Sequence, residues 1–241
     1  MFKETSKELL DFLSKSPTAF HAVENYRQIL NADGFKELLE SEHWDIVPGG
    51  KYYVTRNNTS ILAFKVGTKL DNYSFNIVTS HTDSPTFKVK ENAEIEVKNK
   101  YTQLNTEGYG GMLCATWLDR PLSIAGRVLV SEGNSIVTKL LNIDRDLLMI
   151  PNVAIHMNRA ANDGFKYNLQ VDMLPLLSAG DDRQKDFKQI IADELGVKKE
   201  DILGHDLYLY NRMAPSIWGA NEEFISAGHL DDLQCGFSSL N

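Results

Sequence analysis

Cysteine is scarce in this sequence, and negative charge outweighs positive charge. The 241 residues include only two cysteines, Cys114 and Cys235, which argues against a disulfide framework and favours a reduced, cytoplasmic protein. The formal net charge is −8 and no cluster of Lys and Arg occurs, so neither nucleic acid nor an anionic membrane is expected as a partner. No apolar run approaches the roughly 18 residues that span a bilayer, and the charged N-terminus lacks the apolar core of a secretory signal.

Several motifs that would identify an enzyme class are also missing. The sequence contains no P-loop, no GxGxxG fingerprint and no GxSxG nucleophile elbow, which removes the usual signals of nucleotide binding and of an α/β-hydrolase serine. Neither cysteine lies in a CxxC pair, so a thiol nucleophile is disfavoured. A hydrophobic fraction of 42% is enough to build the core of one large domain or two small ones.

Helices and strands alternate in the first third of the chain. Thr5 and Glu8 form a capping box that predicts a helix with Leu9, Leu10, Phe12 and Leu13 on its apolar face. A second helix follows Pro17 and ends near Gly34. Residues 51–56 and 60–66 predict a β-hairpin, and the run YSFNIVTS (73–80) predicts a third strand that ends at His81.

After Pro85 the pattern becomes that of strands with one wet face. Segments such as TFKVK and AEIEVK alternate apolar and charged residues, and residues 186–195 predict the one amphipathic helix of this region. We therefore predict an α/β fold in which a catalytic-type domain, a mixed sheet with helices, is interrupted by a β-rich insertion. The predicted bounds are 1–86 for the first part of the α/β domain, 87–220 for the insertion and 221–241 for the start of the second part.

An HxD pair follows the predicted third strand, at His81 and Asp83. Three of the six histidines have Asp at the second position on, namely His43, His81 and His229, so the pattern alone carries little information. Only His81 follows a strand-like apolar run, and functional groups of open α/β sheets gather at strand ends. Residues i and i+2 of extended chain point the same way. Asp83 could therefore orient the His81 imidazole as a metal ligand, or simply satisfy a strand-end histidine.

Two further positions have both a functional and a structural interpretation. Asp231 and Asp232 begin a predicted helix, where carboxylates are stabilised by the helix dipole, although such a pair also suits a two-metal hydrolytic site. His156 lies in the strand-like segment IPNVAIHMNR, and a histidine in such a context is usually a satisfied core residue. Spacing alone leaves these alternatives open.

Six segments together resemble the M18 family of zinc aminopeptidases, the group that includes aspartyl aminopeptidase. They occur in family order and cover nearly the whole chain: SPTAFHAV, GGKYYVTRNNTSILAFKVG, SHTDSPTFKVK, GYGGMLCATWLDRPLSIAGRVLV, IPNVAIHMNR and EEFISAGHLDDLQCGFSSL. The resemblance implies that His81 binds one zinc ion and that Asp83 is the catalytic-site carboxylate that orients it. It implies that Asp231 bridges two zinc ions, and that His156 contacts substrate in a neighbouring subunit's active site.

The resemblance also implies an activity and an assembly. Two zinc ions would activate a shared water and a glutamate would remove its proton, releasing N-terminal, often acidic, residues from peptide substrates. The insertion would be a dimerisation domain, and dimers would assemble into a dodecamer. The family's general-base Glu, a Glu ligand, and further Asp and His ligands lie beyond the LDD segment, so these residues resemble about half of such an enzyme.

That shortfall leads to an expectation about activity and to alternative functions. His81 and Asp231 alone fall short of a zinc coordination shell, so the isolated chain is expected to be inactive and to expose an unfinished sheet. One alternative is a non-catalytic M18-like scaffold or regulatory subunit. Another is a different two-metal hydrolase, which the segments TWLDRPLSIAGRV and IPNVAIHMNR argue against.

Overall fold

Four α-helices and eleven strands occur in the computed structural model, which describes residues 2–72, 74–180 and 186–240. No helix in these ranges has the length and apolar character that crossing a membrane requires. In chain order the elements are α1 (Phe2–Ser14), α2 (Ala19–Ala32), β1 (Lys36–Glu37), β2 (Lys51–Arg56), β3 (Ser60–Lys65), β4 (Thr86–Val97), β5 (Tyr101–Tyr109), β6 (Leu122–Glu132), β7 (Ser135–Asn142), β8 (Leu176–Ala179), α3 (Phe187–Leu195), β9 (Ile202–Asn211), β10 (Ser216–Trp218), β11 (Phe224–Ser226) and α4 (Leu230–Leu240). This mixture confirms the predicted α/β class.

The described chain divides into two units. One contains the residues up to Ser84 together with those from Ala214 onward, and the other contains residues 85–213. The second unit is therefore inserted between two stretches of the first. The predicted insertion, 87–220, starts two residues later and ends seven residues later than this unit. The role of the inserted unit in dimerisation stays a prediction.

The first unit packs helices around a small aromatic core. Phe12 of α1 lies 5.0 Å from the Tyr26 ring of α2 and 5.6 Å from the Phe237 ring of α4, measured between centroids. Leu9, Leu13 and Leu233 belong to the same buried cluster. These residues recur every three or four positions, so each helix presents one apolar stripe to the others. This packing holds α4, which comes late in the chain, against the first two helices.

A three-stranded sheet accompanies these helices. The sheet has the order β1-β2-β3, in which β1 runs parallel and β3 antiparallel to β2. The hairpin predicted from the sequence is confirmed as β2 and β3, and its turn uses Asn57 and Asn58 with positive φ values, which Asn tolerates better than most residues. Within the described ranges β3 is an edge strand with one neighbour.

Two sequence predictions for this unit were wrong. Helix α1 begins at Phe2, so Thr5 and Glu8 lie inside the helix and do not form its capping box. Residues 74–80 belong to no strand, although their apolar run predicts one; Tyr73, the first residue of that prediction, lies outside the described residues. A strand requires a hydrogen-bonded neighbour, and the described sheet supplies none there.

The second unit is built on a six-stranded antiparallel sheet. Its order is β7-β6-β9-β4-β5-β8, and one face carries a continuous core that includes Phe87, Ile124, Leu207 and Leu209. Helix α3 covers part of this core with Phe187 and Ile191. Asp186 caps its first turn by accepting a hydrogen bond from the Gln189 N–H at 2.8 Å. Most strands predicted for this region and its amphipathic helix are thereby confirmed.

Candidate functional site

His81 lies in an irregular segment that is fixed at one point to the hairpin. The Thr82 hydroxyl donates a hydrogen bond of 2.6 Å to the carbonyl of Thr59, in the turn that leads into β3. Two residues apart, His81 Nδ1 and Asp83 Oδ1 are 3.1 Å from each other. The two-residue spacing of His81 and Asp83 therefore does bring the Asp83 carboxylate to the His81 imidazole, although the backbone of this segment is not a strand.

The start of α4 brings a second pair of carboxylates to this imidazole. Asp232 Oδ2 lies 3.8 Å from His81 Nδ1, and the Asp232 N–H donates to the Ser84 hydroxyl at 3.3 Å. This hydrogen bond joins positions 148 residues apart in sequence. Residues 81–84 and 231–232 therefore form one cluster, which we name the HTDS–DD cluster.

The electrostatics of the HTDS–DD cluster favour a positively charged group at its centre. The hydrogen bond to Asp83 raises the pKa of His81 above its ordinary value, and the negative charges of Asp232 and Asp231 act in the same direction. Burial raises the pKa of the Asp232 carboxyl, and the adjacent Asp231 carboxylate raises it further. Three carboxylates thus act electrostatically on one imidazole, and positive charge on His81 relieves part of their mutual repulsion.

These donors have the chemistry of a zinc site but not the arrangement of a complete one. Imidazole nitrogen and carboxylate oxygen are both zinc ligands, and the contact of His81 Nδ1 with Asp83 leaves Nε2 as the ring nitrogen available to a metal. Within residues 2–72, 74–180 and 186–240, however, no group of three or more His, Cys, Asp or Glu side chains is arranged to hold a metal ion. The cluster therefore fits part of a zinc site and not a complete one.

The other two HxD pairs have different surroundings. His43 Nε2 lies 3.9 Å from Asp45 Oδ1, and the two side chains are 93% and 98% exposed, so that pair is a solvated surface contact. His229 adopts a positive φ of 59° before α4, and burial lowers its pKa to about 4. His229 is therefore neutral near pH 7, unlike a histidine held by carboxylates.

The structure places His156 away from any core. Residues 151–157 form an exposed irregular segment with a turn at 155–157, not the strand that their apolar pattern indicates, and His156 itself is exposed. The interpretation of His156 as a satisfied core histidine was therefore wrong. Alternating apolar residues here do not face a packed layer, since Val153, Ile155 and Met157 are also exposed.

Sequence reasoning missed several residues that hold the HTDS–DD cluster together. Ser84 and Thr82 bind the segment to α4 and to the hairpin, and Tyr26 lies against Gly236 of α4 just behind His81. Of the two carboxylates at the start of α4, Asp232 is the one whose oxygen lies 3.8 Å from His81 Nδ1, whereas the family resemblance implies a role for Asp231. Ser84 is part of the quoted SHTDSP segment, but no local signal points to Tyr26 or Gly236.

Comparison with known proteins places these features in a family. A family model described as aminopeptidase I zinc metalloprotease (M18) matches residues 12–241. The chain is 47% identical over 241 residues to a probable M18 family aminopeptidase 2 of Clostridium novyi, covering 98% of this chain and 56% of that protein. It superposes on mApe1 of Chaetomium thermophilum with a TM-score of 0.90 at 30% identity, covering 98% of this chain and 57% of the other.

A further solved structure similar to this chain is the mApe1 dodecamer of S. cerevisiae. The TM-score is 0.75 at 26% identity, and the match covers 93% of this chain and 52% of that one. The chain thus spans about half the length of the relatives it matches. On the family model and the Clostridium relative together, the chain belongs to the M18 family of aminopeptidase I zinc metalloproteases.

Proposed function

We propose that this polypeptide forms part of a metallo-aminopeptidase that removes N-terminal residues from peptides with the help of two zinc ions. The observation that supports the proposal most is the HTDS–DD cluster, in which the His81 imidazole meets the Asp83 and Asp232 carboxylates from two distant parts of an M18 chain. Bound zinc would supply a Lewis acid and an activated water at neutral pH. We extend the proposal to a preference for acidic N-terminal residues and to a cytoplasmic location.

The residues of the cluster have separate proposed roles. His81 provides a zinc ligand through Nε2, and Asp83 fixes the ring by its 3.1 Å contact with Nδ1. Asp231 would provide a carboxylate ligand shared by the two ions. Because these donors are fewer than zinc takes from a protein site, we propose that residues 1–241 alone are inactive and that further ligands come from additional polypeptide.

Assembly of subunits is the second part of the proposal. The exposed turn that carries His156 suits a residue that reaches a neighbouring subunit, where its imidazole would hold substrate or stabilise the oxyanion. The inserted unit would form the dimer contact, and dimers would build a dodecamer, as the S. cerevisiae relative is described to form.

The test compares two chemically matched HxD pairs in the protein purified natively from its source cells. Asp83→Asn is expected to lower zinc affinity and kcat/KM on peptides that begin with Asp, Glu or Leu by about 10- to 100-fold, the usual effect of losing a carboxylate that orients a metal-binding histidine. Asp45→Asn, in the solvated pair, is the control and should change neither. Equal zinc content and equal kcat/KM for both variants would contradict the proposal.

A second candidate function is that of a non-catalytic M18-like scaffold or regulatory subunit. The incomplete donor set within the described ranges favours it. The intact mass of the native protein separates the two functions. A mass near 27.2 kDa, with no co-purifying polypeptide, zinc or peptidase activity, would favour the scaffold. Zinc-dependent hydrolysis that a chelator abolishes and zinc restores would favour the enzyme.

A further inference from the structure

The two short strands β10 and β11 present a pair of aromatic rings to solvent. The strands run antiparallel, with Ile217 opposite Ile225 and Trp218 opposite Phe224. The two isoleucines pack against the buried cluster of the helices, whereas Trp218 and Phe224 are 51% and 50% exposed. We name Trp218 and Phe224 the aromatic pair. Single exposed apolar residues are ordinary on protein surfaces, whereas contiguous ones mark interaction sites.

Local contacts hold the aromatic pair in one arrangement. The two ring centroids lie 4.8 Å apart, and the ring planes make an angle of 33°. The Trp218 Nε1–H donates a hydrogen bond of 2.8 Å to the Ser226 hydroxyl. Because the indole N–H is satisfied within the hairpin, a ligand would contact the rings and not this donor. Rings that are already positioned lose little conformational entropy when a ligand binds.

A carboxylate lies beside the aromatic pair, at the turn between β10 and β11. Gly219 has a φ of 108°, and a Cβ atom at this residue would lie 2.5 Å from Glu223 Oε2 and 2.9 Å from Phe224 Cδ2. The absence of a side chain at Gly219 therefore lets the carboxylate and the ring edge approach the same point. Glu223 Oε2 also accepts a hydrogen bond of 2.7 Å from the Asn221 N–H, which holds the carboxylate at the turn.

The two neighbouring glutamates of this turn differ in their ion pairs. Glu222 Oε2 lies 2.6 Å from Lys3 Nζ. Among residues 2–72, 74–180 and 186–240, no cationic side chain forms an ion pair with Glu223. A carboxylate in water needs no such partner, but the Glu223 carboxylate would lose solvation if an apolar surface covered the adjacent rings. An uncharged partner is therefore disfavoured at this position.

A cation suits both the rings and the carboxylate. Aromatic faces attract Lys, and more often Arg, within about 6 Å, and the planar guanidinium of Arg both stacks on rings and pairs with a carboxylate. We propose that Trp218, Phe224 and Glu223 bind an arginine side chain of another polypeptide. The net charge of −8 favours the approach of a basic partner. The site shares no residue with the HTDS–DD cluster, so this inference does not depend on the proposed function.

NMR signals of the three tryptophan indole N–H groups test the arginine site. The isotope-labelled 241-residue chain is titrated with a peptide, blocked at both ends, that carries a single arginine among glycines and serines; Trp218→Phe identifies the Trp218 signal. We expect the Trp218 signal to shift with added peptide and the signals of Trp44 and Trp117 to stay in place. A peptide with citrulline, which resembles arginine in shape but has no charge, should shift the Trp218 signal at least about threefold less.

The two glutamates provide a matched pair of variants. Glu223→Gln keeps an acceptor for the Asn221 N–H but removes the charge, and it should lower the slope of the Trp218 shift against peptide concentration by about threefold. Glu222→Gln should leave this slope unchanged, because that carboxylate is paired with Lys3. Glu223→Gln should also leave the melting temperature unchanged, which separates lost binding from lost folding.

Several results would overturn the arginine site. One is the absence of a Trp218 shift with the arginine peptide. Another is an equal shift with the citrulline peptide, which would make a neutral segment the occupant. Equal slopes for Glu223→Gln and the unaltered chain, or an equal loss for Glu222→Gln, would remove the assigned role of Glu223. Self-association of the chain that Trp218→Ala abolishes would make a second copy the occupant.

Discussion

Gly236 occupies a position where α4 approaches the backbone of the HTDS–DD cluster too closely for any side chain. A methyl group at this position would lie 2.9 Å from the His81 carbonyl oxygen and would overlap the hydroxyl of Tyr26. Tyr26 is 4% exposed, and its hydroxyl has no hydrogen-bond partner within the described residues; burial raises the pKa of Tyr26 to about 12. The absence of a side chain at Gly236 therefore sets the distance between α4 and His81.

The expected effect of Gly236→Ala is the sum of two opposing contributions. In an unhindered helix, alanine in place of glycine stabilises by about 0.5–1 kcal/mol. Overpacking a buried site costs about 1–3 kcal/mol, and the His81 carbonyl belongs to the backbone, so it cannot rotate away as a side chain would. We expect the free energy of unfolding to fall by about 0.5–2 kcal/mol and α4 to shift away from His81.

Urea unfolding of single and double variants measures this balance. Gln234→Ala, at an exposed position of the same helix, is the control and should stay within about 0.5 kcal/mol of the unaltered chain. Tyr26→Phe removes the hydroxyl that a methyl group would overlap, so Tyr26→Phe/Gly236→Ala should be at least about 0.5 kcal/mol more stable than the two single effects predict by addition. A Gly236→Ala chain that is more stable than the unaltered one would refute the close-approach argument.

Two further predictions concern stability alone. Burial lowers the pKa of His21 and of His229 to about 4, from an ordinary value of 6.5. The free energy of unfolding linked to each neutral imidazole is therefore fully present above pH 6.5 and decreases as the pH falls towards 4. The loss is at most about 3 kcal/mol for each histidine. The pKa of His81 is raised, so protonation of His81 stabilises the folded chain as the pH falls, but only weakly because the side chain is exposed. Melting temperatures should therefore fall from pH 7 to pH 4.5. A rise would contradict the low pKa values assigned to His21 and His229. Gly126 has a φ of 152° and lies against the backbone of β9, so Gly126→Ala should cost about 2–4 kcal/mol, whereas Gly204→Ala, with open space around it, should stay near neutral by urea unfolding.

Much of the local structure followed from the sequence because its signals are local. The strand-like runs 51–56 and 60–66, on either side of Asn57 and Asn58, predicted the hairpin that β2 and β3 form. The sequence also predicted the helix after Pro17, which the structure contains as α2 with Val23, Tyr26 and Leu30 buried. Each of these signals acts over a few residues, so it operates in the same way whatever the rest of the chain does.

Two of the wrong predictions depended on a distant partner. The apolar run at residues 74–80 predicted a strand, but a strand exists only where a neighbour accepts and donates its backbone hydrogen bonds. The segment around His156 predicted burial for the same reason and lies exposed. The apolar composition of a segment indicates that its burial would be favourable. It does not indicate whether another part of the protein is present to cover it.

The sequence by itself determined the local elements, the resemblance to the M18 family and the candidates His81, Asp83 and Asp231. Only the tertiary structure decided which HxD pair stands beside further carboxylates, since the pairs at His43 and His81 have the same spacing but differ in exposure and in what approaches them. It also decided that Asp232 and Ser84 meet across 148 residues. The contact between Asp232 and Ser84 depends on how the helices pack around their aromatic core, and no sequence pattern indicates it. Turns and helical faces, in contrast, are determined by residues that are close in sequence.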